Sequence, residues 1–268
     1  MLDFVFEQLS TRVEKVKAMV VATRVSPDAE SIHQLRVSIR RLTEAMHSLD
    51  KWVKPRRAAK LGARLRLVMK AAGETRNLDI AGELCVEADV APAAGVTEAL
   101  QSARTGAAHR LVGHLLALPL AKLRPPCEPN LKVPAPRLLA ASLMAELIPR
   151  YWDSGEVAAQ PGASWTDLHR FRLATKQLRY TMELFQSAYS RGVPARLEVL
   201  KRVQTHLGKV NDCDAARGFA AIAADVALDA WIEQKQHAER EKFVKTWTEE
   251  LKRSRAGANW VRYFTRLK

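Results

Sequence analysis

The chain has 268 residues and is strongly basic, with 43 Lys and Arg against 29 Asp and Glu and a formal net charge of +14. Because 47% of its residues are hydrophobic, the composition excludes a disordered basic tail and predicts a folded core. A membrane protein is disfavoured too, since the longest uncharged apolar stretch, 111–121, has about half the length of a bilayer-spanning helix.

The N-terminus and the cysteines narrow the class of protein further. Residues 1–4 lack the basic start and hydrophobic block of a secretory signal, so we expect a cytoplasmic protein. The three cysteines Cys85, Cys127 and Cys213 lie far apart and form no C-x-x-C pair. This spacing excludes a zinc knuckle and disfavours a disulfide scaffold.

Glycine is sparse and period-two alternation is rare, so the sequence predicts an all-α protein. Two predicted helices carry repeated motifs. The first follows residues 26–28, in which Ser26 is the predicted cap and Pro27 the first-turn proline. The second follows a predicted capping box at 164–167. The other predicted helices cover roughly residues 2–24, 56–72, 95–117, 137–152, 194–207 and 226–253.

Proline divides the chain near its middle. Six of the twelve prolines fall within residues 119–136, a density that no helix tolerates. We therefore predict a linker at 119–136 between a first helical bundle, 1–118, and a second helical bundle, 137–268.

The two halves share a pair of motifs at matched spacing. Residues 32–42 and 168–178 follow one pattern, and each contains a His near its start. Gly73 follows the first of these His residues by forty positions, and Gly208 follows the second by thirty-nine. Two motifs at matched spacing predict an internal duplication and two helical bundles related by a pseudo-twofold axis.

Each motif helix carries a row of cations beside its predicted core face, on a helix that turns about 100° per residue. The first row consists of His33, Arg36 and Arg40, and the second of His169, Arg172, Lys176 and Arg179. Unit charges about 7 Å apart repel by roughly 2 kcal/mol at an effective dielectric near 20. Glu44 and Glu183 can hold individual Arg side chains, but most of these cations would stay unpaired. A repeated row of unpaired cations is typical of a polyanion site.

The motifs resemble one known family. The pattern H-x-x-R-V-x-x-R-R-L at 33–42, the pattern L-H-R-x-R-x-x-x-K-x-L-R-Y at 168–180 and L-G-x-x-N-D at 207–212 are similar to the CHAD family, the conserved histidine α-helical domain. The resemblance covers nearly the whole chain. It implies two four-helix-type bundles with a basic groove or pore between them, binding of inorganic polyphosphate and association with polyphosphate granules.

The resemblance also implies the binding residues. Carried over position by position, the candidates are His33, Arg36, Arg40, Arg41, His169, Arg172, Lys176 and Arg179, with Arg66, Arg76, Lys201 and Asn211 as weaker ones. The sequence departs from the family at Thr43, where another basic residue is usual, and this lowers the expected symmetry. Partners expected from the resemblance are polyphosphate, granule proteins or a triphosphatase, and no membrane.

Rival chemistries are weaker. A metal site is disfavoured because the neighbouring Arg side chains would repel a cation. We expect no catalysis and no cofactor, since neither a paired acid and base nor a Gly-rich phosphate loop accompanies the histidines. The main alternative is weak, nonspecific nucleic-acid binding, because a protein with a net charge of +14 binds phosphates of DNA or RNA. The sequence contains no motif that reads bases, so sequence-specific binding is not expected. An accessory module of a triphosphatase or polyphosphate enzyme is a further alternative.

Overall fold

The computed structural model describes residues 4–88, 95–130, 132–189, 191–222, 226–253 and 256–266. These residues form helices and turns without a β-strand, which confirms the all-α prediction. The α-helices are α1 Phe4–Val25, α2 Ala29–Ser48, α3 Pro55–Glu87, α4 Val96–Ala117, α5 Pro136–Ala158, α6 Trp165–Leu184, α7 Val193–Ile222, α8 Val226–Thr246 and α9 Ala256–Thr265.

The chain divides into two compact units. One consists of Met1–Val133 with Ala215–Ile232, and the other of Pro134–Asp214 with Glu233–Lys268. These units differ from the predicted bundles, because the end of α7 and the start of α8 belong to the first unit. The internal duplication stays a prediction, since a compact unit is not a sequence repeat.

The first unit packs α1 against α2, α2 against α3 and α3 against α4. Each of these helices buries an apolar stripe with the 3.6-residue period of an amphipathic helix. Fully or nearly fully buried residues of the stripes include Val13, Val16, Leu35, Ile39, Leu61, Leu65, Leu111 and Leu115. This core fixes α2 and α3 side by side, which positions the first pair of motifs.

The second unit has an aromatic core around α5. The centre of the Tyr151 ring lies 5.0 Å from that of the Phe171 ring on α6. The centre of the Trp247 ring lies 5.3 Å from that of Phe171, and the two rings meet edge to face. Gly155 provides the room for Trp247, because a Cβ at this position would clash with the indole ring. The α8 helix ends at Thr246, and a π-helical segment, Trp247–Lys252, follows it.

Two predicted helix ends were wrong by about four turns. Instead of ending near 72 and 207, α3 and α7 run through Gly73 and Gly208. In α3 the reason is burial, because Thr75, Leu78 and Ala81 extend the apolar stripe beyond the glycine. A glycine inside a helix costs only about 1 kcal/mol, and packing of this kind offsets it.

Smaller differences concern caps and termini. The N-cap of α2 is Asp28 rather than Ser26, since the Asp28 carboxylate accepts a hydrogen bond from the Ser31 amide at 2.7 Å. The capping box of Ser164 and Asp167 at the start of α6 is confirmed. The sequence prediction missed α9 and ended α5 about two turns early. The helix predicted over 226–253 is helical to Lys252, but its last six residues, Trp247–Lys252, form a π-helix.

Candidate functional site

The first motif helix, α2, has an apolar face in the core of the first unit and a cationic flank beside it. The predicted apolar stripe is buried throughout: Ile32, Leu35, Ile39, Leu42, Met46 and Leu49. Arg36 and Arg40 are half-buried, and His33 and Arg41 are exposed. The sequence therefore places its cations at the edge of the core, where their aliphatic stems pack and their charged groups reach solvent.

Arg36 lies across the contact between α2 and α3. Its Nη1 donates to the Met69 carbonyl at 3.4 Å, and the same atom would be 2.8 Å from a Cβ at Gly73. A side chain at Gly73 would compete with the guanidinium for this space. The His-led motif and the Gly-led motif of the first half therefore meet at the Arg36 side chain.

His33 lies in a positively charged environment. Desolvation by the surrounding protein lowers its pKa most, followed by the charge of Arg76 and, to a smaller extent, those of Arg36 and Arg40. Glu30 acts in the opposite direction without cancelling the shift. The free protein thus favours the neutral imidazole, which still donates one hydrogen bond.

Arg40 on α2 and Arg66 on α3 have no carboxylate partner among the described residues. Arg66 lies seven residues before Gly73, so it shares a face of α3 with the glycine that Arg36 covers. Their charges are not neutralised by the described part of the chain, which leaves both guanidinium groups able to bind an anion.

Arg76 and Arg41 have other surroundings. Arg76 donates to both carboxylate oxygens of Glu83, at 2.8 and 3.3 Å. Arg41 lines a cleft of about 40 Å³ together with Arg12 and Lys15 of α1. Since five residues on a helix amount to a rotation of about 140°, Arg41 faces away from Arg36. The structure therefore groups Arg36, Arg40 and Arg76 around His33 and leaves Arg41 outside this group.

The second motif helix, α6, holds its cations more tightly. Lys176 is buried, and His169, Arg172 and Arg179 are half-buried. The Arg179 guanidinium lies 3.5 Å from the Glu183 carboxylate and 4.8 Å from the centre of the Tyr180 ring. This confirms the expectation that Glu183 holds an individual Arg side chain.

The α7 helix has two polar faces in the second unit. Lys201, Gly208 and half-exposed Asn211 share one face, and Lys201 approaches Glu198 at 3.9 Å. On the other face, buried Glu239 of α8 accepts from His206 at 2.8 Å.

Glu239 is the centre of a charged cluster on that second face. Its other partners are Lys242, at 2.8 Å, and Lys209, at 3.4 Å. Burial by itself would raise the pKa of Glu239, but the hydrogen bonds from His206 and Lys242 and the charge of Lys209 lower it to about 2. These side chains interact with the Glu239 carboxylate and so stabilise the packing of α7 against α8.

The sequence prediction did not foresee the packing at Gly73 or give weight to the cations in the first half of α3. In the sequence, Gly73 serves only to align the two halves, whereas in the structure it leaves room for the Arg36 guanidinium, which a Cβ would approach to 2.8 Å. A signal was present, because residues 55–73 hold six Lys or Arg and no Asp or Glu. Of these six, only Arg66 was assigned to the site.

In the described ranges, no group of three or more His, Cys, Asp or Glu side chains is arranged to hold a metal ion. None of the helices described has the length and apolarity needed to cross a membrane.

Comparisons with known proteins agree with the sequence resemblance. A family model described as the CHAD domain matches residues 7–221. The CHAD domain from the plant Ricinus communis has a similar structure, with a TM-score of 0.63 and 22% identity over 98% of this chain and 91% of that one. PptA from Streptomyces chartreusis is similar with a TM-score of 0.67 and 18% identity, over 92% of this chain and 99% of that one. A search of the curated proteins finds no match.

Proposed function

This chain belongs to the CHAD domain family, and on that premise we propose that it binds inorganic polyphosphate without catalysing a reaction on it. The observation that carries the proposal is in the first unit. The Arg36 guanidinium lies over Gly73, between two helices that also present Arg40 and Arg66 without carboxylate partners among the residues described. Such a group supplies several donors to the oxygens of successive phosphates.

The binding mechanism is electrostatic and multivalent. Each Arg offers forked donors to phosphate oxygens, and a chain of phosphates reaches several Arg side chains at once. Once one phosphate is bound, its neighbours are held at a high effective concentration near the next cation. Long polyphosphate should therefore bind far more tightly than orthophosphate or pyrophosphate, which reach only one or two of these groups.

The protonation of His33 should change when the ligand binds. In the free protein, desolvation and the cations Arg76, Arg36 and Arg40 lower its pKa. A polyanion placed among these cations would oppose their effect and favour the imidazolium. We propose that His33 donates to phosphate as a neutral ring at high pH and as an imidazolium at low pH.

A titration with size-fractionated polyphosphate in the presence of duplex DNA tests the ligand. At equal phosphate concentration, we expect long polyphosphate to displace DNA and pyrophosphate to displace little. A preference for DNA would support the alternative of nonspecific nucleic-acid binding, which the net charge of +14 favours. No binding of any chain length would refute the proposal.

A charge reversal locates the site. The double variant Arg36→Glu, Arg172→Glu should lower the slope of log affinity against log salt, because each lost phosphate contact removes about 0.7–0.9 from it. The control variant Arg253→Glu, Arg262→Glu changes the net charge equally at exposed positions outside the candidate site. Equal slopes in the two variants would exclude the motif helices from the site.

The cellular setting depends on the ligand. We propose that the protein associates with polyphosphate granules in the cytoplasm, alone or as an accessory to a triphosphatase or other polyphosphate enzyme. Imaging of a fluorescent fusion, compared with the Arg36→Glu, Arg172→Glu variant, tests the association. Granule labelling that survives this substitution would contradict recruitment through the motif cations.

A further inference from the structure

The first half of α3 is rich in cations and lacks acids. Between Pro55 and Gly73 there are six Lys or Arg residues and no Asp or Glu: Arg56, Arg57, Lys60, Arg64, Arg66 and Lys70. The first acid that follows is Glu74, whose carboxylate lies 3.7 Å from Arg110 of α4. An acid-free run of this length is unusual in a chain whose other cations often have carboxylate partners.

Two of these six cations have structural partners. Arg57 lies 3.0 Å from Glu128, and Arg64 donates to the Lys122 carbonyl at 3.3 Å. The other four have no ion-pair partner in the described part of the chain, and all four are exposed: Arg56, Lys60, Arg66 and Lys70. We call these four residues the α3 strip.

The α3 strip follows one face of the helix. At about 100° per residue its four side chains fall within a sector of roughly 120°. With a rise of about 1.5 Å per residue, the strip extends about 21 Å from Lys70 to Arg56. Lys70 lies three residues before Gly73, so one end of the strip adjoins the place where Arg36 crosses α3.

This arrangement opposes the stability of the helix. The first turn of α3 contains Arg56 and Arg57, no acid and no side-chain cap, although the positive end of the helix dipole favours acids there. In α2, by contrast, Asp28 caps the helix and Glu30 lies in the first turn. Unpartnered cations at an unfavourable helix end, within a row of like charges, are typical of a surface that a polyanion neutralises.

We propose that the α3 strip is an extension of the binding site, along which a long polyphosphate continues from Arg36 towards the N-terminus of α3. The inference rests on the proposed function and adds a length requirement to it. A chain of a few phosphates occupies the group around Arg36 and does not reach Lys60 or Arg56. Longer chains gain affinity until they span the strip.

The test compares two ligands and two double variants. The strip variant is Arg56→Gln, Lys60→Gln, which leaves intact the motif helices and the two strip residues nearest Gly73, Arg66 and Lys70. The control variant is Arg253→Gln, Arg262→Gln, which removes the same charge from exposed positions of the second unit. One of these control cations, Arg253, lines a cleft that Glu241 and Glu249 also line. The ligands are tripolyphosphate and long, size-fractionated polyphosphate.

We expect the strip variant to bind tripolyphosphate within about twofold of the wild type and long polyphosphate much more weakly. Its salt slope for long chains should fall by about 1.4, from two lost contacts of about 0.7 each. Its deficit relative to the wild type should therefore shrink by about sevenfold between about 50 and 200 mM salt. The control variant should keep the wild-type slope.

Three results would overturn the extension. Equal losses in the strip and control variants would mean that the effect comes from net charge alone, and equal losses for both ligands would mean that short chains also reach Arg56 and Lys60. Unchanged binding of long chains would remove the strip from the path. Each of these differs from a failure of the proposed function, in which the wild type binds neither ligand.

Discussion

The two motif regions match in sequence spacing and differ in what the spacing builds. In the first, Gly73 lies beneath the Arg36 guanidinium, which a Cβ would approach to 2.8 Å. In the second, a Cβ at Gly208 would have no neighbour within 4 Å. Glycine at the same place in the pattern therefore makes room for a cation in the first region, whereas in the second region it faces open space.

The cations of the two regions also differ in their carboxylate partners. Arg40 and Arg66 of the first region lack carboxylate partners among the described residues. In the second region Arg179 approaches Glu183, and the opposite face of α7 is joined to α8 through buried Glu239. A repeated motif thus predicts a repeated helix, but the neighbouring carboxylates decide whether its cations bind a ligand or stabilise the fold.

Replacing Glu239 should have the largest effect. With the pKa of Glu239 lowered to about 2, the carboxylate stabilises the fold above its ordinary pKa near 4.5, and this contribution is lost as pH falls towards 2. We expect Glu239→Gln to lower the free energy of unfolding at pH 7 by about 2–3 kcal/mol. Urea denaturation from pH 7 to pH 2 should show the difference from the wild type shrinking.

The matched substitution in the first region is Arg66→Gln. Because Arg66 is exposed and has no ion-pair partner in the described ranges, it should change stability by less than about 0.5 kcal/mol. Its effect should appear in polyphosphate affinity. If Arg66→Gln destabilised the protein as much as Glu239→Gln, the distinction between binding and structural cations would be wrong.

Alanine at the two glycines sharpens the comparison. Both lie inside helices, where Gly→Ala adds about 0.5–1 kcal/mol of stability when the site has room. At Gly73 the group that must move is the end of a flexible Arg36 side chain, so the fold should tolerate the methyl group. We expect Gly73→Ala to keep or raise the melting temperature and to weaken polyphosphate binding about tenfold, the scale of one charge-assisted contact.

Gly208→Ala is the control, and a double-mutant cycle tests the cause. Gly208→Ala should stabilise the protein without loss of affinity. Because Gly73→Ala acts by displacing Arg36, it should have little further effect on affinity in an Arg36→Ala background. Additive losses in the cycle would mean that Gly73 acts on binding by another route.

Features that depend on local pattern were predictable from the sequence. The all-α class, the buried face of α2 and the capping box before α6 depend on residues close in the chain, and the structure confirms them. The predicted ends of α3 and α7 fell at their glycines, because local propensity disfavours glycine in a helix. In α3, burial of Thr75 and Leu78 overrides that preference, and burial depends on helices distant in sequence.

The candidate site was predictable as a set of cations but not as a group of neighbours. Arg41 belongs to the same motif as Arg36, yet it lines the cleft on the α1 side. The pairing of Arg76 with Glu83 spans two helical turns, and the contact of Arg36 with α3 joins residues more than thirty positions apart. The periodicity of the sequence predicts on which face of a helix a residue lies. It does not predict which other helix packs against that face, because this depends on the tertiary structure.

The smallest expected effect concerns the two motif histidines. The pKa of His33 is lowered in the free protein, and a polyanion bound beside Arg36 and Arg40 should raise it. Binding then takes up a proton, so affinity should increase as pH falls from 8 towards and below about 6.5. Calorimetric titration in buffers of different ionisation enthalpy measures this proton uptake directly. We expect this gain in affinity to be about threefold.

The substitutions His33→Gln and His169→Gln separate the two regions. His33→Gln should flatten the pH profile, since the amide keeps a donor but cannot gain charge. His169 lies 6.3 Å from the exposed Trp165 ring, and its replacement should leave most of the profile in place. A profile that flattens with His169→Gln and persists with His33→Gln would reverse the assignment, because the proton-linked phosphate contact would then lie on α6. A profile that both substitutions flatten equally would instead restore the symmetry that the repeated motifs predict.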